Sequence, residues 1–245
     1  MLAYRRLPLD GLMNARDLGG YAACGGVTRS GVFLRSDVPA LLSEADLRFL
    51  RLYGLSAAVD LRSEAERERT PDMLAAQSWV RYTAVPLYDK TAARGEGLDG
   101  KTFCWADHYI RLVDHAQDWV RDVFAALADA PGCVLFHCAT GKDRTGIIAA
   151  LLLSLCGVSD EDAAADYCLS RLYLAPLVEE LCRSGRIASR DDPFFATQPE
   201  NMLRLLAYLR ERYGGVPDYL SACGLSQARQ DALRRRLTQT DETRA

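Results

Sequence analysis

The chain has 245 residues, 49% of them hydrophobic, with a formal charge of −3. That length and apolar content are enough for a full core, in one large α/β domain or two small ones, and they exclude a disordered chain. The slight acidic balance argues against a general nucleic-acid or membrane-surface binder, so an anionic ligand must be held by local charge.

The N-terminal stretch Met1 to Asp10 has no apolar core of signal-peptide length. The longest apolar run, Ile147 to Cys156, falls far short of the roughly 20 residues needed to span a bilayer. The expectation is a soluble cytoplasmic protein without membrane insertion. The eight cysteines, at 24, 104, 133, 138, 156, 168, 182 and 223, form no Cys-x-x-Cys pair and no His/Cys spacing suited to zinc. Apart from Cys138 they are expected to be structural thiols in a reducing compartment, and no metal site is predicted.

Residues 14–36 read as two short strands joined by a Gly-rich turn, with Arg16, Asp17 and Arg35 as a structural ion-pair cluster. Ser43-Glu44-Ala45-Asp46 is a capping-box start for a helix that ends at Tyr53 before Gly54. Ser56 to Arg62 follows as a buried strand, and Ser63-Glu64-Ala65-Glu66 opens another helix. Trp79 to Tyr88 alternates as a strand, and Lys90 to Lys101, with three glycines, reads as a mobile loop. One helix is predicted from about Trp105 towards Ala130, where Pro131-Gly132 breaks it. Val134 to Phe136 suits a buried strand, and Ile147 to Leu155 has helical length, ended by Gly157. Beyond it, Ser159 to Gly185 is helical with a break near Ala175-Pro176, followed by helices over Glu200–Tyr213 and Ser226 to about Thr238. The order predicts an α/β fold with a mostly parallel central sheet flanked by helices and a helical C-terminal part from about residue 159. With no linker to divide it, residues 1–245 are expected to form a single domain. In parallel sheets the ligand crevice lies beyond the carboxyl ends of the strands, which is where Asp60 and Cys138 both fall.

The chemistry concentrates in His137-Cys138-Ala139-Thr140-Gly141-Lys142-Asp143-Arg144-Thr145-Gly146. Cys138 and Arg144 bracket five residues at a helix N-terminus, a geometry that turns backbone N–H groups into one concavity and binds a tetrahedral dianion. Ala139, Thr140, Gly141, Lys142, Asp143 and Arg144 are therefore the phosphate-binding residues. The same field favours a thiolate at Cys138, and the Arg144 fork can hold two phosphate oxygens. Thr145 can donate its hydroxyl to the departing sulfur, and His137 orients the loop. Three aspartates compete as proton donor: Asp60 at its strand end, Asp143 inside the loop, and Asp107, whose plainer reading is a first-turn helix carboxylate. Lys142 either adds potential for multiply charged headgroups or pairs with Asp143. His108 and His115 share a helix face but are too few for a metal site. A Walker A reading fails because Asp143 and Phe136 stand where a Ser/Thr and a Gly belong.

This string is similar to the signature loop of the cysteine-dependent tyrosine phosphatase superfamily. Its Gly-Lys-Asp-Arg-Thr-Gly half most resembles the bacterial tyrosine phosphatases of the mycobacterial PtpB type. Asn14-Ala15-Arg16-Asp17-Leu18-Gly19-Gly20 resembles an N-terminal hallmark of that family, and the match covers residues 14–36, 60–68 and 134–170. The resemblance implies phosphomonoester hydrolysis without metal or cofactor, through a phosphocysteine. The implied substrates are phosphotyrosine, then phosphoserine, phosphothreonine and phosphoinositides. It also implies Asp60 or Asp143 rather than Asp107 as the acid, a lid from C-terminal helices that the sequence does not single out, and signal-less secretion as an alternative to a cytoplasmic location. A rhodanese-like sulfurtransferase explains the cysteine but not the whole string. An inactive phospho-ligand binding module usually lacks the Cys or Arg that this chain keeps. Oligomeric state and any redox partner of Cys138 are not set by the sequence.

Overall fold

The computed structural model describes residues 5–87 and 104–238. A five-stranded sheet forms the centre, built from β1 (Arg16–Asp17), β4 (Phe33–Ser36), β5 (Leu55–Asp60), β6 (Arg81–Ala84) and β7 (Cys133–His137). The strand order is β1-β4-β7-β5-β6, with β4, β7, β5 and β6 parallel and β1 antiparallel at one edge. A small hairpin of β2 (Ala22–Ala23) and β3 (Gly26–Val27) stands apart from it.

Alternation along the inner strands feeds two cores. Phe33, Ala57, Val59, Val134 and Phe136 point into one, and Leu34, Leu55, Ala58, Cys133 and Leu135 into the other. The smaller core is closed by α1 (Glu44–Tyr53) and the 3-10 turn Met73–Ala76, through Leu50 and Leu74. The larger core takes α3 (Trp105–His115), α4 (Gln117–Asp129) and α5 (Asp143–Leu155). On that same side lie α6 (Asp160–Tyr173), α8 (Pro199–Tyr213), α9 (Val216–Ala222) and α10 (Gln227–Thr238). Every residue of α5 from Thr145 to Leu153 is buried, as expected for a helix apolar on all sides. The short helices α2 (Glu64–Arg69) and α7 (Ala175–Arg183) complete the α-helices among the described residues.

The predicted α/β architecture is the observed one. Five details differ. Residues 14–36 carry four short strands, β1 to β4, rather than two. The long helix expected between Trp105 and Ala130 is two helices, because Ala116 leaves helical geometry at φ −116°, ψ 37°. α5 begins at Asp143 rather than Ile147, which puts Arg144 in its first turn. α9 was not anticipated, and β6 is shorter than the alternating stretch. The loop expected at Lys90 to Lys101 lies outside the described residues.

Candidate active site

β7 ends at His137, so Cys138 emerges from the carboxyl edge of the sheet at its centre, between β4 and β5. The loop that follows has its carbonyls tied to neighbours. Leu61 N donates to His137 O at 2.9 Å, and His137 Nδ1 lies 3.0 Å from Cys138 O. Val38 N donates to Ala139 O at 3.0 Å, Asn14 Nδ2 to Thr140 O at 2.9 Å, and Arg35 Nη2 to Gly141 O at 2.7 Å. A trans peptide plane points its N–H opposite to its C=O. The N–H groups of residues 139–142 are thereby turned to the other side of the loop, and none donates to an acceptor among the described residues. The first helical N–H groups add to them. Gly141 sits at φ +69°, and a Cβ there would lie 2.4 Å from Ser36 O, so only glycine lets the loop pack on β4.

Arg144 is clamped from behind. Its Nη1 and Nη2 donate to Glu66 at 2.8 and 2.6 Å, and Nη1 also reaches Leu61 O at 3.3 Å. A guanidinium has five N–H donors, and these contacts use three. The two left, Nε–H and the second Nη2–H, are the adjacent parallel pair that matches a phosphate edge. Burial opposes charge on Glu66, yet hydrogen bonds and attraction from Arg144 outweigh it and bring the carboxyl down to about 2. Burial likewise opposes charge on Arg144, and Glu66 with the Cys138 sulfur lifts it above its ordinary value. Glu66 belongs to the capping box of α2, where Ser63 N donates to Glu66 Oε2 at 2.8 Å.

Asp143 opens towards solvent, with a side chain 20% exposed. Its Oδ1 accepts from Tyr109 OH at 2.5 Å and from Lys142 Nζ at 2.6 Å. Both donors share one oxygen, leaving Oδ2 open. The Lys142 side chain is fully buried, with Nζ 3.8 Å from the centre of the Trp105 ring and 5.6 Å from that of Phe194. Pairing with Asp143, one of the two readings of Lys142, is thus the observed arrangement. Tyr109 OH also meets Tyr167 OH at 2.8 Å.

Asp60 reaches the same edge of the sheet but is enclosed on all sides. Arg62 Nε and Nη2 donate to its two oxygens at 2.7–3.1 Å, Arg62 N donates to Oδ1, and Tyr82 OH donates to Oδ2 at 2.6 Å. Burial works against the charge, but Arg62 and His137 hold the carboxyl below its ordinary value. His137 Nε2 lies 2.8 Å from Asp72 Oδ2, without the alignment of a hydrogen bond. Asp60, Asp72 and His137 are the one group of metal-type ligands among the described residues, with ligand atoms within 4.8 Å of one another. Both Asp60 oxygens already take cationic or phenolic donors, so the group does not fit a metal. Asp107 lies in the first turn of α3 and pairs with Arg204 at 2.6 Å, half exposed. The Thr145 hydroxyl is fully buried without a hydrogen-bond partner.

Arg16 and Arg35 do form a buried cluster, but their carboxylate is Asp166 of α6 rather than Asp17. Arg16 Nε donates to Asp166 Oδ1 at 3.0 Å, Arg35 Nη1 donates to Oδ2, and Tyr21 OH donates to Oδ1. Asp17 instead accepts from Gly19 N, Gly31 N and Tyr53 OH. The site residues the sequence did not single out are Glu66, Asn14, Tyr109 and Asp166. Glu66 stands out locally as a capping-box residue, which explains its presence without its contact to Arg144.

A cysteine and a clamped arginine flanking one loop, at the carboxyl edge of a parallel sheet, are the arrangement of a cysteine-dependent phosphatase. The model of the tyrosine phosphatase family matches residues 7–239, and the chain belongs to that family. A tyrosine-protein phosphatase of Nostoc commune is 31% identical over 223 residues, covering 84% of this chain and 74% of that protein. The triple specificity protein phosphatase PtpB of Mycobacterium tuberculosis is 28% identical over 277 residues, covering 95% of this chain and 98% of that protein. The chain is accordingly a protein-tyrosine phosphatase. No helix of the described residues is long and apolar enough to cross a membrane.

Proposed function

We propose that this phosphatase acts through a phosphocysteine on Cys138, with Asp143 as proton donor, on phosphotyrosine and also on phosphoserine, phosphothreonine and phosphoinositide monoesters. The observation that carries the reading is the row of N–H groups at 139–142 without an acceptor among the described residues, beside the unused fork of Arg144. In the first step the Cys138 thiolate attacks phosphorus in line, an S–P bond forms, and the P–O bond to the leaving group breaks as Asp143 gives that oxygen a proton. In the second, water attacks phosphorus, Asp143 takes back a proton, and the thiolate leaves with the Thr145 hydroxyl turned to it. Charge on the equatorial oxygens meets the loop N–H groups and Arg144, and these supply the positive field the reaction needs.

Asp143 is preferred to Asp60 on geometry. Asp143 is partly exposed and its Oδ2 takes no hydrogen bond among the described residues, whereas every lone pair of Asp60 faces a donor inside the fold. Asp60 then serves to fix Arg62 at the end of β5. The broader substrate range is supported by the likeness to the mycobacterial protein, named for triple specificity. Lys142 lends no direct support for phosphoinositides, since its ammonium is sealed against Trp105 and Asp143.

The test is a panel of para-nitrophenyl phosphate, phosphotyrosine, phosphoserine and phosphothreonine peptides, and phosphoinositides, with wild type, Cys138→Ser, Asp143→Asn and Asp60→Asn. Cys138→Ser is expected to abolish hydrolysis. Asp143→Asn is expected to slow phosphoserine about 100-fold or more and para-nitrophenyl phosphate far less, because a poor leaving group depends most on the acid. Hydrolysis that survives Cys138→Ser sinks the mechanism. An equal loss on both substrates, or a leaving-group effect at Asp60 instead, sinks the assignment of the acid. Sulfur transfer to cyanide without phosphatase activity marks a sulfurtransferase, and binding without turnover a recognition module.

A further inference from the structure

Four successive carbonyls of the loop, at residues 138–141, are each held by a donor outside it, and two of those donors are side chains from the N-terminal segment. Asn14 takes Thr140 O and Arg35 takes Gly141 O, at 2.9 and 2.7 Å. Both are wholly buried. Each is itself fixed from a second side. Asp37 Oδ1 accepts from Asn14 N at 2.9 Å, and Asn14 Oδ1 accepts from Arg16 Nη1 at 2.6 Å. Arg35 shares Asp166 with Arg16, and Arg16 Nη2 also donates to Ser170 Oγ at 3.1 Å. With its amide tied at both ends, Asn14 can only present an N–H to Thr140.

Free carbonyls facing the same concavity would repel a phosphate as strongly as N–H groups attract it. Peptide planes in a Gly-containing loop flip readily unless something holds them. We propose that Asn14 and Arg35 are positioning residues for catalysis. By taking the Thr140 and Gly141 carbonyls they lock the Gly141 and Lys142 N–H groups towards the phosphoryl oxygens. The proposal rests on the reading of residues 138–144 as the phosphate site. Arg35 does more than Asn14, because its donor is charged and two guanidinium groups share the one carboxylate of Asp166. Burial and the neighbouring Arg16 pull Arg35 down to about 10, so it stays cationic at neutral pH directly behind the loop.

The experiment measures inhibition by inorganic orthovanadate and by phosphate, kcat/KM, and Tm for wild type, Asn14→Leu, Arg35→Met and Ser170→Ala. Asn14→Leu keeps the branched four-atom shape and removes the donor to Thr140 together with the Oδ1 acceptor of Arg16. Ser170→Ala perturbs the buried cluster without touching a loop carbonyl. Hydrogen-bond energies predict that orthovanadate inhibition weakens about tenfold in Asn14→Leu and about 30- to 100-fold in Arg35→Met, with kcat/KM falling in parallel. Ser170→Ala is expected to lower Tm slightly and leave both values at the wild-type level. A purely structural role moves Tm alone, so orthovanadate inhibition within twofold of wild type in a folded Asn14→Leu protein overturns the proposal, even if Arg35→Met does not fold. Orthovanadate inhibition lost equally in Ser170→Ala overturns it too, since the effect then belongs to the cluster and not to the carbonyls. Failure of the underlying reading looks different: Cys138→Ser would keep phosphatase activity, and wild type itself would ignore orthovanadate.

Discussion

Two residues of the site carry opposite burdens for stability. Glu66 is held at about 2 by Arg144, below its ordinary 4.5. A carboxyl whose pKa is depressed on folding stabilises the fold fully above its unfolded value and loses that contribution as pH falls through the folded one. Tm of the wild type should therefore fall as pH drops from about 4.5 towards 2, and Glu66→Gln should show a shallower slope across that window. The same variant frees Arg144 to swing, with kcat/KM expected to drop about 10- to 100-fold, the scale of a lost charge-assisted bond. Unchanged acid slopes would remove Glu66 from the account of the clamp. Thr145 runs the other way, because its hydroxyl is buried without a partner. Thr145→Val keeps the shape and removes an unsatisfied polar atom, so it should gain about 1 kcal/mol in denaturant unfolding. It should also slow breakdown of the proposed phosphocysteine, seen as a burst of product followed by slow turnover. A stabilised variant with wild-type turnover would mean that the hydroxyl does not reach the sulfur.

At the scale of elements, α2 is a six-residue helix that holds the clamp, and its start is a capping box. Ser63→Ala removes the side-chain acceptor for Glu66 N, a cap loss of about 1 kcal/mol. Because Glu66 closes that box as the third residue of the helix, the frayed turn also mis-sets Arg144. Ser63→Ala should therefore lose activity beyond what its stability loss explains, and Ser63→Thr should restore both; a lower Tm with wild-type kcat/KM would separate the cap from the site. The helix starts at Ser43, read as a capping box, and at Ser63 were legible because each is a local spacing of Ser and an acid. The strand-loop-helix around Cys138 was legible for the same reason, as apolar run, glycine and apolar run. The break at Ala116 was not, since alanine favours helix and no Gly or Pro marks the turn. α9 was hidden as a short segment between glycines. The partners of the site were beyond reach in principle. Glu66 meets Arg144 across 78 residues, Tyr109 meets Asp143 across 34, and Asp166 meets Arg35 across 131. Local pattern carries no record of contacts made only when β4, β5 and β7 align.

The whole molecule is organised so that the helical C-terminal part finishes the core begun by the sheet. Leu233 and Leu237 of α10 lie in the same apolar cluster as Phe33, Val134 and Phe136 of the strands. Arg236 Nη1 donates to Leu127 O at 2.6 Å and its Nη2 to Gly132 O at 2.7 Å, just before β7 begins. Arg29 N, ahead of β4, donates to Leu237 O at 2.6 Å. A last helix joined at these points to the amino-terminal ends of the parallel strands β4 and β7 is expected to melt with the sheet. Unfolding by heat or denaturant is therefore expected as one transition, with calorimetric and van't Hoff enthalpies equal and with loss of activity coincident with loss of helix signal. Phe136, fully buried in that shared core two residues before Cys138, tests the coupling directly. Phe136→Ala should cost about 3–5 kcal/mol, the range for emptying an aromatic site in a core. If the coupling holds, the C-terminal helices and the active site lose their midpoints by the same amount. Two separated transitions, with α8 to α10 surviving the loss of the sheet, would instead mean that the helical part is a unit of its own and that the catalytic loop is held by the sheet alone.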